Sequence, residues 1–184
     1  MNSLLTGERL ALIRGGGLLF EGLDLKLEAG GALHVTGPNG SGKSSLIRLV
    51  AGLLKPNAGR IERSQAALAD ESLALDRELP LGRALAFWGG PRMAEAISAF
   101  ELQELLAIPV RLLSTGQARR ARLARVVASG APLWLLDEPL NGLDRKGVGE
   151  LDAAIAAHRA SGGAILAASH VPLAGEWRRL ELGG

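Results

Sequence analysis

A glycine-rich segment of eight residues matches the pattern G-x-x-x-x-G-K-[ST], whose residue types suit the binding of nucleotide phosphates. Its glycines let successive backbone N–H groups point at one phosphate, Lys43 can reach the terminal phosphates, and the hydroxyl of Ser44 can bind Mg²⁺. The alternative is a glycine-rich turn that binds nothing. Including the serine that follows the motif, the predicted phosphate-binding residues are Gly37, Pro38, Asn39, Gly40, Ser41, Gly42, Lys43, Ser44 and Ser45.

Two adjacent acidic residues, Asp137 and Glu138, follow the apolar run 133–136. Side chains alternate in direction along an extended chain, so the two carboxylates are expected to have different partners. Asp137 can hold Mg²⁺ beside Ser44, and Glu138 can orient an attacking water or accept its proton. An apolar strand that ends in Asp-Glu is often an ordinary strand end. The upstream phosphate loop favours the catalytic interpretation.

A third segment, Leu-Ser-Thr-Gly-Gln, begins at Leu113 and is followed by an arginine-rich stretch of helical character. Ser114 and Gly116 lie where a helix is expected to begin, and free N–H groups with the helix dipole favour a phosphate there. The simpler interpretation makes Ser114 an ordinary N-cap. The position of the segment, between the phosphate loop and the acidic pair, favours phosphate binding.

Apolar periodicity predicts the elements that position these motifs. The region 80–108 is expected to be helical, with Pro80 and Pro91 at first helical positions. Strands that alternate with helices favour a mostly parallel sheet covered on both faces. The predicted strands are 10–13, 20–27, 31–36, 60–63, 66–69, 133–136 and 164–168, and the other predicted helices are 44–51, 115–125 and 151–158.

Composition excludes several classes of protein. The chain has 184 residues, 47% hydrophobic and 22% charged, which predicts a single globular domain. It has no cysteine, so disulfide frameworks and thiolate metal sites are excluded. A net charge of +2 gives no argument for a nucleic-acid partner. No apolar run reaches the roughly 18 residues that a membrane span needs, so a membrane role requires a partner.

In this order and spacing the motifs resemble those of the ATP-binding-cassette (ABC) ATPases, over roughly residues 8–182. The signature of that family is usually written LSGGQ, and here Thr115 replaces its first glycine. The matching segments are Walker A at 37–44, the signature at 113–117, Walker B at 133–138, the D-loop at 139–144 and the switch histidine at 169–170.

This resemblance implies an α/β fold of the P-loop NTPase type. It has a mostly parallel sheet, an N-terminal antiparallel β subdomain and a small helical subdomain at about 78–128, in one domain over 1–184. It implies ATP and Mg²⁺ as ligands and a head-to-tail homodimer. Ser114, Gly116 and Gln117 would then contact the nucleotide of the partner subunit. His170 would contact the nucleotide of its own subunit and act with Glu138 in catalysis.

Two positions depart from the family pattern. The family usually has a glutamine after the strand that corresponds to 66–69. This chain has Asp70 and Glu71 there, and either is a candidate replacement. Gln65 lies too early in the sequence to take this position. The family also stacks an aromatic side chain on adenine. Here the corresponding position is Arg14, whose guanidinium plane can stack on a base, with looser base selectivity expected.

Further similarities narrow the resemblance to the ATPase subunits of cytochrome c maturation systems, which handle heme. They lie in 14–23, in 85–88 and in the arginine-rich signature, whereas 69–78 matches poorly. This resemblance implies a CcmB-like transmembrane permease, with a CcmC-like subunit as a further candidate. It also implies a peripheral position on the cytoplasmic face of the inner membrane.

Three other functions stay open at this point. The chain could serve a transporter with a different cargo, or be a soluble cassette ATPase that acts on ribosomes, DNA or Fe–S assembly. The latter class often has long insertions or tandem cassettes, which this chain lacks. It could also be a nucleotide switch that does not hydrolyse ATP, although intact Lys43, Asp137 and Glu138 argue against that.

Overall fold

The computed structural model describes residues 3–72 and 74–183, with strands in two separate sheets and five α-helices in those ranges. The strands are β1 (Ser3–Arg14), β2 (Gly17–Glu28), β3 (Ala32–Thr36), β4 (Ala58–Arg63), β5 (Ala66–Ala69), β6 (Leu133–Asp137), β7 (Ala164–Ala168) and β8 (Arg178–Glu181). The helices are α1 (Lys43–Ala51), α2 (Leu81–Phe87), α3 (Met93–Ala99), α4 (Thr115–Ala128) and α5 (Arg145–Ala160).

The two sheets differ in strand direction. Strands β2, β1 and β4 form an antiparallel sheet in that order, whereas β5, β6, β7, β3 and β8 form a parallel sheet. The carboxyl ends of the parallel strands therefore meet at one edge, where ligands bind in open α/β sheets. The parallel sheet, the antiparallel sheet and the helices between 81 and 128 agree with the predicted P-loop fold.

The parallel sheet is buried on both faces, which explains the continuous apolar runs of β6 and β7. On one face, Leu133, Leu135 and Leu166 pack in a cluster with α1 and with apolar residues of β1 and β2. On the other face, Trp134 and Leu136 pack with apolar residues of α2, α3, α4 and α5. Helix α1 thus packs between the two sheets.

Several boundaries differ from the sequence-based predictions. Pro80 is the N-cap of α2 rather than its first residue, and α3 begins two residues after Pro91. Helix α5 begins at Arg145, six residues before the expected start, because Asp144 caps it by accepting a hydrogen bond from the N–H of Gly147 (2.7 Å). Strand β8 was not predicted, because its sequence Arg-Arg-Leu-Glu lacks an apolar run.

In the part of the chain described by the structure, no helix combines the length and the apolar character needed to cross a bilayer. The longest helix is α5, with 16 residues.

Candidate functional site

A cavity of about 790 Å³ opens at the carboxyl edge of the parallel sheet. Its lining combines the phosphate loop with residues that follow β6 and β7 and with the turn between β1 and β2. The lining residues are Arg14, Gly15, Leu19, Asn39, Gly40, Gly42, Lys43, Ser44, Ser45, Glu138, Asn141 and His170. The structure thus brings residues from four separate segments of the sequence to one site.

The phosphate loop presents backbone donors at the start of α1. Gly42 is the N-cap of this helix at φ 99°, and no side chain caps it, so the first-turn N–H groups are available to an anion. Gly37 has a φ of 140°, and a Cβ there would lie 2.3 Å from the carbonyl oxygen of Leu182. Only glycine fits these two positions, which explains the spacing of the motif.

Lys43 lies folded over the phosphate loop. Its Nζ donates hydrogen bonds to the carbonyl oxygens of Gly37 (2.7 Å) and Pro38 (2.9 Å). The ammonium group is therefore held inside the concave loop, where a phosphate can exchange for these neutral acceptors. The hydroxyl oxygen of Ser41 is buried without a hydrogen-bond partner among the described residues.

Ser44 and Asp137 form the arrangement expected of a metal site. The hydroxyl of Ser44 donates to Oδ1 of Asp137 (2.9 Å), and Asp137 is only 4% exposed. Burial raises the pKa of this carboxyl, and the hydrogen bond from Ser44 opposes that shift. A buried carboxylate beside a hydroxyl suits Mg²⁺. Among the described residues, no group of three or more histidine, aspartate or glutamate side chains is arranged so that it could hold a metal ion by itself.

Glu138 and His170 are in direct contact across the cavity. Nδ1 of His170 lies 2.8 Å from Oε2 of Glu138, and the N–H of Glu138 donates to the carbonyl oxygen of Ala168 (2.8 Å). Glu138 has a φ of 47°, and its side chain contacts His170, whereas that of Asp137 contacts Ser44. The expectation that the two adjacent carboxylates have different partners therefore agrees with the geometry.

The predicted signature residues lie outside the residues that line this cavity. Ser114 and Gln117 form a capping box: Oγ of Ser114 accepts from the N–H of Gln117 (3.2 Å), and Oε1 of Gln117 accepts from the N–H of Ser114 (2.9 Å). The simpler reading of Ser114 as an N-cap is thus correct for this chain in isolation. The first-turn N–H groups of Thr115 and Gly116 remain the donors for an anion.

The two positions that depart from the family pattern have defined surroundings. Arg14 ends β1, lines the cavity, and donates a long hydrogen bond from Nη1 to Oγ of Ser45 (3.4 Å). Asp70 directly follows β5, which is in register with β6 so that Ala69 lies beside Leu136. Asp70 therefore lies next to the acidic pair, whereas Gln65 precedes β5 at its opposite end, as expected.

Three lining residues were missed by the sequence reasoning, namely Gly15, Leu19 and Asn141. Asn141 belongs to the segment 139–144, whose position directly after the acidic pair was the available signal. Leu19 lies near the phosphate loop, since a Cβ on Gly42 would lie 3.1 Å from the Cβ of Leu19. Nothing in the sequence alone indicates that contact, because it depends on how β2 packs against α1.

Comparison with known proteins agrees with this geometry. The family model for the ABC transporter matches residues 20–141. The chain is 56% identical over 181 residues to the Cytochrome c biogenesis ATP-binding export protein CcmA of Sphingopyxis alaskensis, covering 95% of this chain and 93% of that protein. A protein with the same name from Novosphingobium aromaticivorans is 57% identical over 167 residues, covering 90% of this chain and 87% of the relative.

Solved structures support the fold. An ATP-binding subunit of an ABC transporter aligns with a TM-score of 0.83 at 24% identity, covering 91% of this chain and 80% of that chain. An ATP-binding protein of a putative ABC transporter from Pyrococcus furiosus also aligns with a TM-score of 0.83, at 20% identity. The alignment covers 97% of this chain and 96% of that chain. The family match, the close relatives and the arrangement of the cavity agree. This chain belongs to the ABC transporter family, as one of its ATPase subunits.

Proposed function

We propose that this chain is the ATP-hydrolysing motor subunit of a membrane complex that exports heme for the biogenesis of c-type cytochromes. The observation that carries this proposal is the 56% identity to a protein named for cytochrome c biogenesis and export, along almost the full length of both chains. Such a subunit would be a peripheral protein on the cytoplasmic face of the inner membrane, held there by a transmembrane permease.

The nucleotide would bind with its phosphates on the loop 37–45. Lys43 would exchange its two carbonyl acceptors for phosphate oxygens, with a gain in charge-assisted hydrogen bonding. Ser44 and Asp137 would hold Mg²⁺, which neutralises phosphate charge when bound. The buried carboxylate of Asp137 gains its charge partner in that state, which offsets its cost of burial.

Glu138 would orient the attacking water and accept its proton. The contact with Nδ1 of His170 fixes the direction of the carboxylate. If the neutral histidine donates from Nδ1, its Nε2 is left as an acceptor facing the cavity. Positioning and electrostatic stabilisation supply most of the chemistry in this reaction class, so no covalent intermediate on the protein is expected.

A homodimer would complete each site. The free N–H groups of Thr115 and Gly116 are the phosphate donors in the signature segment, and they lie outside the cavity of their own chain. A second copy in head-to-tail orientation would bring these groups to the terminal phosphate. ATP would then close the dimer and hydrolysis would open it, which gives the motor its two states.

The permease would dock on a second cavity, of about 540 Å³, that we call the arginine cleft. Its charged lining residues are Arg77, Arg111, Arg119, Arg122 and Glu71. Among the described residues, neither Arg77, Arg119 nor Arg122 has a carboxylate oxygen within 4.0 Å, although Arg111 pairs with Glu78. An acidic segment of a CcmB-like permease, with a CcmC-like subunit as a further candidate, complements this charge.

The arginine cleft lies near Asp70 and Glu71, which stand where the family usually has a glutamine. Arg122 is 5% exposed, and burial lowers its pKa, while the charges of Asp70 and Glu71 oppose that shift. The acidic residues after β5 thus face the arginines of α4, the helix whose first turn is the signature. We propose that Asp70 and Glu71 replace the glutamine as the link between the nucleotide site and the permease.

A deletion strain tests the proposed function directly. Removing the gene from the organism that encodes it should abolish heme-stained c-type cytochromes, because heme no longer reaches them. The wild-type chain and the surface variant Arg179→Ala should restore the cytochromes, whereas Lys43→Ala should not. Normal levels of c-type cytochromes in the deletion strain would show that the complex serves a different cargo.

The variant Arg77→Glu is expected to lower recovery of the permease with this chain by about tenfold. It places a like charge opposite the acidic segment, and Arg77 is exposed at the rim of the arginine cleft, so the fold should tolerate the change. The measurement is co-purification from detergent-solubilised membranes. The control is Arg179→Glu, at the opposite edge of the parallel sheet. Equal recovery of the permease with both variants would exclude docking in this cleft.

A further inference from the structure

The nucleotide cavity has two chemically different ends. Glu138, Asn141 and His170 line the end at β6 and β7, where the terminal phosphate would be cleaved. The base must therefore lie toward the other end, which the β1–β2 turn forms with Arg14, Gly15 and Leu19. None of the lining residues in the described chain is an aromatic that could stack on a base, other than His170 at the reaction end.

This end also offers little that could read the edge of a base. Gly15 has no side chain, and the side chain of Leu19 has no hydrogen-bonding atom. Discrimination between bases rests on hydrogen bonds to their edges, because stacking alone accepts any base. Arg14 is thus the one residue of the three whose side chain can bind by polar contact, so its direction decides what this end recognises.

Arg14 is directed toward the phosphates. Its Nη1 lies 3.4 Å from Oγ of Ser45, in the first turn of α1, where phosphates bind. The adjoining turn fixes this placement: Arg14 pairs with Gly17 across a two-residue turn in which Gly15 (φ 60°) and Gly16 (φ 79°) both have positive φ. Such turns match the twist of the strands and give a defined hairpin.

The charge of Arg14 is also available. Among the described residues, no carboxylate oxygen lies within 4.0 Å of its guanidinium group, and Ser45 is a neutral partner at long distance. A guanidinium group without an acidic partner, beside a helix N-terminus that lacks a side-chain cap, suits a polyanion. Bidentate hydrogen bonds to phosphate oxygens would replace the single contact with Ser45.

We propose that Arg14 binds the phosphates proximal to the ribose, and that the site selects nucleotides by their triphosphate rather than by their base. This inference rests on the proposed function, since it assumes that the cavity binds nucleoside triphosphates. Under it, ATP, GTP and UTP are all ligands of the site, and the sequence-based expectation that Arg14 stacks on adenine is the competing assignment.

Inorganic tripolyphosphate separates the two assignments because it has no base. Dissociation constants of the full chain for ATP, GTP, UTP and tripolyphosphate are measured by calorimetry with Mg²⁺. In the wild type, the three nucleotides are expected to bind within about fivefold of one another, and Arg14→Ala should raise all four constants by about tenfold. If Arg14→Ala raises the dissociation constant for ATP but leaves that for tripolyphosphate unchanged, Arg14 contacts the base and the inference is overturned.

Two further variants sharpen this test. Arg14→Lys keeps the charge without the planar group. Its dissociation constant for tripolyphosphate should therefore stay within about threefold of the wild-type value. Arg14→Tyr supplies a stacking surface without charge, so it should recover ATP affinity but not tripolyphosphate affinity. The matched control is Arg179→Ala, which removes an exposed arginine that does not line the cavity.

The outcomes also separate this inference from the proposed function. A wild-type chain that binds ATP more than about fiftyfold tighter than UTP would overturn triphosphate selection and leave the proposed ATPase intact. A chain that binds none of the four ligands, although it is folded, would overturn both.

Discussion

Replacing Glu138 by Gln is expected to lower ATP hydrolysis by at least about 100-fold in the assembled complex, while ATP-bound dimers accumulate. A positioned general base contributes about 10²- to 10⁴-fold to such a rate, and the amide cannot accept the proton. The substitution preserves size, and an amide oxygen can still accept a hydrogen bond from Nδ1 of His170. ATP binding should therefore survive, because the residues that would hold the phosphates and Mg²⁺ are unchanged.

Two measurements check this result, namely release of phosphate and the dimer fraction by size-exclusion chromatography with MgATP. The control is Glu104→Gln, which neutralises an exposed carboxylate outside the cavity and should hydrolyse ATP at the wild-type rate. A Glu138→Gln complex that turns over normally would remove Glu138 from the role of base. Loss of activity without dimer accumulation would argue instead that the variant had lost nucleotide binding.

The nucleotide end of the site could be predicted from the sequence because its geometry is local. Glycines at defined spacing, followed at once by a helix, can form few structures other than an anion-binding turn, and α1 begins within one residue of the predicted start. Asp137 and Glu138 were also predictable, since they end an apolar strand in a chain with a phosphate loop. The parallel sheet follows from the alternation of strands and helices.

Contacts between distant segments were not predictable in the same way. The pairing of Glu138 with His170 depends on β6 lying beside β7, and that of Arg14 with Ser45 depends on how the β1–β2 hairpin packs over α1. No local pattern encodes either contact. The arginine cleft was missed for the same reason, because its lining comes from segments up to about 50 residues apart, such as Glu71 and Arg122.

His158, which has no role in the proposed chemistry, is nevertheless buried in the core. It lies in the last turn of α5, is 5% exposed, and stacks on Trp134 with ring centroids 3.8 Å apart. Its Nε2 has no hydrogen-bond partner among the described residues, and a Cβ on Gly163 would lie 2.2 Å from that atom. The site thus accommodates a neutral imidazole and gives a protonated one no acidic partner.

Acid is therefore expected to destabilise the protein through His158. Burial lowers the pKa of His158 from 6.5 to about 4, so the unfolded chain binds the proton more readily than the folded one. The stability that this histidine contributes is complete above pH 6.5 and declines as the pH falls from 6.5 toward 4. The free energy of unfolding should fall by about 2 kcal/mol by pH 5 and about 3 kcal/mol by pH 4.

Urea unfolding of the wild type and of His158→Gln between pH 7.5 and 5 measures this loss. The variant should be less stable at pH 7.5, because it loses the stacking on Trp134, but its curve should be flatter by about 2 kcal/mol over this range. Other titrating groups contribute to both proteins alike, so the difference between the two curves isolates His158. The control Arg179→Ala changes an exposed residue outside the core and should keep the wild-type pH dependence. Parallel curves for the wild type and His158→Gln would mean that the imidazole accepts a proton in the folded core at little cost, contrary to its packing between Trp134 and Gly163.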